Sequence, residues 1–171
     1  MLIGFMGSGK TTAGKRLAAA LGRPFLDTDG YIEEREGVSI SGIFAEKGEV
    51  YFREAEAAAA KALSRRAGKV IATGGGMVKS AEAMEALKAS GIVIYLKATP
   101  REVLLRTAGD GTRPLLAGPD KLQKITDLLS EREPLYEKYA DITVEVTGKT
   151  AGAVFRELIG AVERYEKDAG A

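Results

Sequence analysis

The sequence contains no cysteine and no histidine, and its charges almost cancel. Among 171 residues, 25 are basic and 24 are acidic, which gives a formal net charge of +1 at pH 7. Without cysteine and histidine the chain cannot form a disulfide, a thiol nucleophile, a Cys/His zinc site or a Ser-His-Asp triad. Any proton transfer must therefore use aspartate, glutamate, lysine or tyrosine. The balanced charge gives no signal of binding to nucleic acid or to an anionic membrane.

Long apolar runs are missing as well. No segment approaches the roughly 18 consecutive apolar residues of a membrane span, and the apolar start at Met1 is too short for a signal peptide. A chain of 171 residues is about the size of one domain with a substantial core. We therefore expect a single-domain, cytoplasmic protein that is a monomer and binds neither nucleic acid nor membrane.

The most informative segment is a glycine-rich stretch that begins at residue 4. Gly4, Gly9, Lys10 and Thr11 occupy the fixed positions of the pattern G-x-x-x-x-G-K-[ST]. Glycines here allow backbone N–H groups to converge on a triphosphate, and a helix that starts near Lys10 adds its positive dipole end. Lys10 can reach the β- and γ-phosphates, and the Thr11 hydroxyl can bind Mg²⁺. The nucleotide-binding residues predicted in this loop are Gly7, Ser8, Gly9, Lys10, Thr11 and Thr12.

Strand-like and helix-like segments alternate along the rest of the chain. Apolar strands are expected before residue 4 and at 24–26, 70–73, 92–96 and 142–146. Helices are expected at 10–21, over most of 31–66, and at 80–89, 100–107, 121–139 and 151–167. This alternation predicts an α/β fold of three layers, in which a five-stranded parallel sheet is covered by helices on both faces. Residues 108–120 show no periodicity, which is typical of a mobile lid or of disorder.

Acidic residues and glycines follow two of the predicted strands. Asp27 and Asp29 come directly after the second strand. Residues two apart in an extended segment point to one face, so we expect both carboxylates to project together where open α/β sheets bind ligands. A solvated turn is the alternative. Gly74, Gly75 and Gly76 follow the third strand, where they would let the backbone come very close to a ligand.

These segments, in their order and spacing, resemble the shikimate kinases over nearly the whole chain. Besides the phosphate loop and the stretch 37–53, the resemblance rests on Leu26-Asp27-Thr28-Asp29, Thr73-Gly74-Gly75-Gly76, Thr112-Arg113-Pro114-Leu115-Leu116 and Arg132-Glu133-Pro134-Leu135-Tyr136. The resemblance implies ATP-dependent phosphorylation of the 3-hydroxyl of shikimate, in the route to chorismate and aromatic amino acids. It implies a nucleoside-monophosphate-kinase-like P-loop fold, with a substrate-binding helical segment at about 30–60 and a lid at about 108–120.

The resemblance also implies how the acceptor would be bound. Asp29 would accept hydrogen bonds from the substrate hydroxyls and is the candidate base. Arg53 and Arg132 would bind the substrate carboxylate, and Gly75 and Gly76 would lie against the ring. Gly74 is a further substrate-binding position. Surface ion pairs are the alternative for both arginines, since Glu49 and Glu56 lie at helical spacing from Arg53, and Asp127 and Glu131 lie close to Arg132.

Further roles that the resemblance implies concern the nucleotide and its metal ion. Asp27 would hold Mg²⁺ through water, and Arg106 would stack on adenine. Lys149 lies in the segment that corresponds to the family's adenine-contacting segment. Arg113, carried by the lid, would neutralise the charge that develops on the transferred phosphoryl group as water leaves.

Two other functions use the same phosphate loop. One is another small-molecule kinase of this fold, acting on gluconate or on a nucleoside monophosphate. The other is a GTP-dependent switch, since Asp27-Thr28-Asp29-Gly30 fits the pattern D-x-x-G. That segment comes too early after the loop for a switch, and the sequence has no N-K-x-D motif for reading guanine.

Overall fold

The computed structural model describes residues 1–65, 68–109, 114–116 and 118–169. The strands in these residues are β1 (Leu2–Ile3), β2 (Phe25–Asp27), β3 (Val70–Ala72), β4 (Ile94–Lys97) and β5 (Ile142–Glu145). The α-helices in these residues are α1 (Lys10–Ala20), α2 (Thr28–Glu36), α3 (Ile40–Ser64), α4 (Ala81–Lys88), α5 (Pro100–Arg106), α6 (Lys121–Tyr139) and α7 (Ala151–Ala169). Two short 3-10 turns cover Met77–Lys79 and Pro114–Leu116.

Within the described residues the strands form one five-stranded sheet in the order β2-β3-β1-β4-β5. All the pairings are parallel, and Leu2 of β1 lies between Ala72 of β3 and Ile94 of β4. The carboxyl ends of the strands therefore share one edge of the sheet. The chain leaves the central β1 toward β2 and β3 first and crosses later to β4 and β5, which makes this edge beside β1 the expected ligand crevice. The predicted five-stranded parallel sheet is confirmed.

The central strand β1 is only two residues long, yet it is well secured. Leu2 and Ile3 are almost completely buried. The backbone N–H of Thr73 donates to the Leu2 carbonyl at 3.1 Å, and the N–H of Ile94 donates to the Met1 carbonyl at 2.9 Å. Hydrogen bonds on both sides and burial on both faces compensate for the short length of the strand. The phosphate loop that follows therefore starts from a fixed point.

Local capping signals explain where several helices begin. Ser39, Ser80 and Thr99 each accept a hydrogen bond from a backbone N–H three residues further on, which satisfies one of the unpaired donors of the first turn. Helix α3 bends at Gly48, whose φ of 78° and ψ of 176° are not helical. A side chain at that position would be strained, which explains why glycine stands at the bend.

One prediction about the acidic pair is wrong. Asp27 ends β2 and is the N-cap of α2, and its Oδ1 accepts from the backbone N–H of Asp29 at 3.1 Å. Asp29 therefore lies in the first helical turn rather than on an extended segment. Because the Asp27 side chain caps the helix, the chain turns before residue 29 and the two carboxylates do not project as strand neighbours.

The predicted lid is described only in part. Residues 110–113 and 117 of the segment 108–120 lie outside the described residues, while Leu116 is buried in the main core. Among the helices of the described ranges, none combines the length and the apolar character needed to cross a membrane.

Candidate active site

The phosphate loop adopts a backbone that only glycine accepts easily. Gly4, Gly7 and Gly9 have φ angles of 144°, 79° and 92°. A Cβ at Gly4 would lie 2.6 Å from the Leu96 carbonyl oxygen, and a Cβ at Gly7 would lie 2.7 Å from a methyl group of Thr107. The positive φ angle favours glycine at all three positions. At Gly4 and Gly7, close packing against β4 and the end of α5 also leaves no room for a side chain.

The loop presents a lysine and the start of a helix to the same space. The Lys10 ammonium donates to the Gly4 carbonyl at 2.8 Å and to the Phe5 carbonyl at 2.9 Å, and the residue is buried. Gly9, the N-cap of α1, provides no side-chain hydrogen bond to the first turn, where Thr11 and Thr12 are exposed. Helix N–H groups that lack a side-chain cap, together with the positive end of the dipole, form a ready anion site.

Thr11 and Asp27, the metal-binding residues predicted from the sequence, contact each other. The Thr11 hydroxyl donates to Oδ2 of Asp27 at 2.7 Å, which joins the first turn of α1 to the carboxyl end of β2. Mg²⁺ prefers oxygen ligands and commonly uses one or two protein groups, with water and phosphate oxygens completing its shell. This hydroxyl and carboxylate therefore match the ligand preferences of Mg²⁺. In the described ranges no three or more acidic, His or Cys side chains form a cluster that could hold a metal ion.

A cavity of about 370 Å³ lies beside the phosphate loop. Its volume suits a small molecule, and it combines apolar walls with a few charged groups, as ligand sites usually do. The polar and glycine positions that line it are Asp29, Glu33, Ser39, Ser41, Arg53, Glu56, Gly74, Gly75, Gly76 and Arg132. The apolar positions are Met6, Ile40, Phe44, Phe52 and Leu115. The structure thus brings every acceptor-binding residue named from the sequence into one cavity.

Arg132 is the most unusual residue of this cavity. It is 1% exposed, and its Nη1 donates to the Gly75 carbonyl at 3.4 Å. Its Nε has no hydrogen-bond partner among the described residues. The alternative ion pairs are not formed, because Glu131 binds Lys79 at 2.9 Å and Asp127 accepts from Gln123 at 2.8 Å. A buried guanidinium is costly unless an anion compensates it, so Arg132 indicates an anionic ligand.

Arg53 lies at the same cavity and also makes the ion pairs considered as the alternative. Its Nη2 is 2.8 Å from Oε1 of Glu49, and its Nη1 is 2.5 Å from Oε2 of Glu56. Both contacts follow from helical spacing along α3, and the Arg53 side chain is 24% exposed. Arg53 therefore forms local ion pairs and also lines the cavity.

Glu56 is a site residue that the sequence reasoning treated only as an ion-pair partner. It is 1% exposed, and its Oε1 has no hydrogen-bond partner among the described residues. Burial raises the pKa of Glu56 to about 7, although Arg53 lowers it. A Cβ on Gly74 would lie 2.6 Å from both Asp29 Oδ1 and Glu56 Oε1, so the two carboxyl groups converge there. The available signal was its position three residues after Arg53.

The triple glycine is anchored by a threonine that no motif singled out. Thr28 is fully buried, and its hydroxyl accepts from the backbone N–H of Gly74 at 2.8 Å. This bond ties the start of α2, which carries Asp29, to the segment after β3. Thr28 lies between the two aspartates in the sequence. Its contact with the segment after β3 is visible only in the structure, where the Gly74 N–H donates to its hydroxyl.

The predicted adenine contacts occupy a different side of the loop. Arg106 donates from Nη1 to the Ser8 carbonyl at 3.3 Å and from Nη2 to the Val146 carbonyl at 3.0 Å. It therefore lies between the phosphate loop and the end of β5. The ammonium of Lys149 is 2.5 Å from Glu157 of α7. Arg113 lies outside the described residues.

A phosphate loop on a five-stranded parallel sheet, next to a small cavity with a buried arginine, defines a P-loop kinase of a small acidic molecule. The model of the family described as "Shikimate kinase" matches residues 6–163. The chain therefore belongs to the shikimate kinase family. The shikimate kinase of Bordetella avium is 42% identical over 97% of this chain and 79% of its own length. That of Caldanaerobacter subterraneus is 45% identical over 94% of both chains.

Solved structures agree with this assignment. The shikimate kinase from Acinetobacter baumannii, determined in complex with shikimate, has a TM-score of 0.92 and 41% identity, covering 96% of this chain and 92% of its own. A gluconokinase from Sinorhizobium meliloti covers 98% and 93%, with a TM-score of 0.61 and 18% identity, and shares the fold alone. The family resemblance, the P-loop kinase fold and the enzyme class predicted from the sequence are confirmed.

Proposed function

We propose that this chain transfers the γ-phosphoryl group of ATP to the 3-hydroxyl of shikimate, forming shikimate 3-phosphate and ADP. The observation that carries the proposal is the buried guanidinium of Arg132, placed in a cavity beside a phosphate loop. A buried cation next to a triphosphate site calls for an acceptor that brings its own negative charge. Shikimate, a carboxylic acid with three hydroxyl groups, has this chemistry.

The acceptor carboxylate would be held by Arg53 and Arg132. Guanidinium groups bind carboxylates through two parallel N–H donors, a geometry that lysine cannot reproduce. Both arginines line the cavity, while Asp29 lines it as a hydrogen-bond acceptor for hydroxyl groups. Gly74, Gly75 and Gly76 are proposed to lie against the ring. Gly74 is also required by packing, since a Cβ there would lie 2.6 Å from both Asp29 Oδ1 and Glu56 Oε1.

In the reaction, the acceptor oxygen forms a bond to the γ-phosphorus while the bond from that phosphorus to the β,γ-bridging oxygen breaks. The hydroxyl proton passes to the carboxylate of Asp29, and ADP leaves with the electron pair of the broken bond. Lys10 and the first-turn N–H groups of α1 stabilise the charge on the phosphate oxygens. Mg²⁺ supplies further charge neutralisation when bound, and Thr11 and Asp27 would hold it, Asp27 through water. Arg113, on a lid at about 108–120, is proposed to neutralise the transferred group as the site closes.

A panel of acceptors tests this proposal. ADP release with ATP and Mg²⁺ is followed with shikimate, gluconate, a nucleoside monophosphate, the methyl ester of shikimate and no acceptor. Shikimate should give a kcat/KM about a hundredfold or more above the methyl ester, because buried Arg132 then faces no carboxylate. It should also exceed gluconate and the nucleoside monophosphate, which carry an anionic group on a skeleton of different shape. Equal turnover of the methyl ester, or preferred turnover of gluconate or the monophosphate, would contradict the proposal.

A further inference from the structure

The start of α5 contains a capping box that is only half formed. In a complete box, the glutamate at the third helical position reaches back to the N–H of the N-cap residue. Here the Thr99 hydroxyl accepts from the Glu102 N–H at 3.4 Å, as this pattern requires. The Thr99 N–H, however, donates at 3.1 Å to the hydroxyl of Thr147, which follows β5. The Glu102 carboxylate is therefore not needed at the cap.

The Glu102 carboxylate instead binds two other groups, the side chain of Arg106 and the backbone N–H of Gly148. Oε1 accepts from Nε of Arg106 at 2.7 Å, one helical turn further along α5. Oε2 accepts from the backbone N–H of Gly148 at 3.3 Å, in the turn after β5. The side chain of Glu102 is 18% exposed and that of Arg106 is 27% exposed, so this pair is shielded more than an ordinary surface pair.

Through Arg106 the same carboxylate also reaches the phosphate loop. Nη1 of Arg106 donates to the Ser8 carbonyl and Nη2 donates to the Val146 carbonyl. All three hydrogen-bonding directions lie in the plane of the guanidinium, which leaves its flat faces available for stacking on an aromatic ring. Glu102 thus helps to orient the plane of Arg106 and binds the turn at Gly148 at the same time.

We propose that Glu102 is a positioning residue for the nucleotide base, and that Thr147 keeps it in this role by taking its place in the capping box. The proposal rests on the proposed function in one respect, namely that Arg106 contacts the base of ATP. Holding Arg106 and the Gly148 turn in place before binding lowers the entropy cost of ordering them around the nucleotide. Glu102 itself does not touch the phosphates or the acceptor.

The test compares Glu102→Gln, Thr147→Val and the double variant in equilibrium binding of ADP, without acceptor. The glutamine loses the charged bond to Arg106, so ADP affinity should fall about tenfold. The Thr147→Val change leaves the Thr99 N–H without its acceptor and draws Glu102 back to the cap, so affinity should fall as well. Since both changes act through one contact, the double variant should bind ADP no more weakly than Glu102→Gln. The kcat at saturating ATP and the KM for shikimate should stay within about twofold, since the contact lies outside the acceptor cavity.

Matched variants separate positioning from folding. Glu82 also lies in the first turn of its helix and pairs with Lys61 at 2.6 Å, so Glu82→Gln should leave ADP affinity unchanged. Thr147→Ser keeps the hydroxyl and should bind ADP like the parent chain, even if Thr147→Val proves unstable. Unchanged ADP affinity in Glu102→Gln, or additive losses in the double variant, would overturn the inference. Shikimate turnover by the parent chain tests the proposed function separately.

Discussion

The nucleotide side and the acceptor side of this site are built in different ways. The nucleotide side consists mainly of the contiguous loop Gly4–Thr12 and relies on backbone N–H groups, one lysine and a helix dipole. The acceptor side collects Asp29 from α2, Arg53 and Glu56 from α3, three glycines after β3 and Arg132 from α6. Phosphate recognition is therefore a local property of the chain, whereas acceptor recognition requires the whole fold.

The two sides also handle charge differently. Lys10 lies on neutral carbonyl oxygens of its own loop. On the acceptor side, Arg53 is bound by two carboxylates, while buried Arg132 is bound to the carbonyl of Gly75. Arg53 is thus already paired with carboxylates, whereas Arg132 acts on Glu56 only from a distance, by lowering its pKa, so an anionic ligand would add a direct partner chiefly to Arg132. If the nucleotide side and the acceptor side are independent, a substitution on one side should leave ligand binding on the other side unchanged.

The largest effect is expected from Lys10→Met. Loss of the ammonium at the phosphates should lower kcat by about a hundredfold to a thousandfold, the usual cost of removing one transition-state donor. Equilibrium binding of shikimate should change little, because Lys10 does not line the acceptor cavity. Steady-state kinetics and calorimetry with shikimate measure the two quantities. Strong loss of shikimate binding would show that the sides are not independent.

Arg132→Lys should act on the other side with a smaller effect. The ammonium keeps the charge but cannot bind a carboxylate through two parallel donors, so the KM for shikimate should rise about tenfold to a hundredfold. ADP affinity should be unchanged. The matched control is Arg156→Lys on α7, where the arginine is exposed. A normal KM for shikimate in Arg132→Lys would remove this arginine from acceptor binding.

The smallest effect is expected in Glu49→Gln, which removes an ion-pair partner of Arg53. The Glu49 side chain is 48% exposed and pairs with Arg53, so it would compete with an acceptor carboxylate bound there. If Arg53 binds the acceptor as proposed, loss of the Glu49 charge should lower the KM for shikimate about threefold, in keeping with the modest free energy of exposed ion pairs. Glu36→Gln, which breaks a pair with Lys47 at 2.8 Å outside the cavity, is the control. A higher KM would mean that Glu49 orients Arg53 instead of competing for it.

The parts of the fold that could be predicted are those in which neighbouring residues decide the outcome. The apolar strand segments, the caps at Ser39 and Ser80, and the break at Gly48 all depend on residues a few positions apart. The prediction for Asp27 and Asp29 was wrong because two local rules competed. Strand alternation predicted a shared face, but the N-cap bond of Asp27 started the helix first.

The cavity residue Glu56 and the proposed positioning residue Glu102 depend on contacts between distant segments. Glu56 looks like an ordinary surface glutamate until α3 packs against the glycines after β3 and buries it. In the sequence, Glu102 matches the acidic position of a capping box. In the structure, the Thr99 N–H that it would bind donates instead to the hydroxyl of Thr147, 48 residues away. No pattern within one helix contains either fact.

The sequence by itself determined the phosphate loop, the α/β alternation and the membership of the family, because these are encoded in short runs of residues whose spacing is readable. The tertiary structure alone decided which charges became buried and which hydrogen bonds replaced one another. Burial and hydrogen-bond exchange depend on the positions of segments far apart in the chain, and these positions exist only after the sheet has formed.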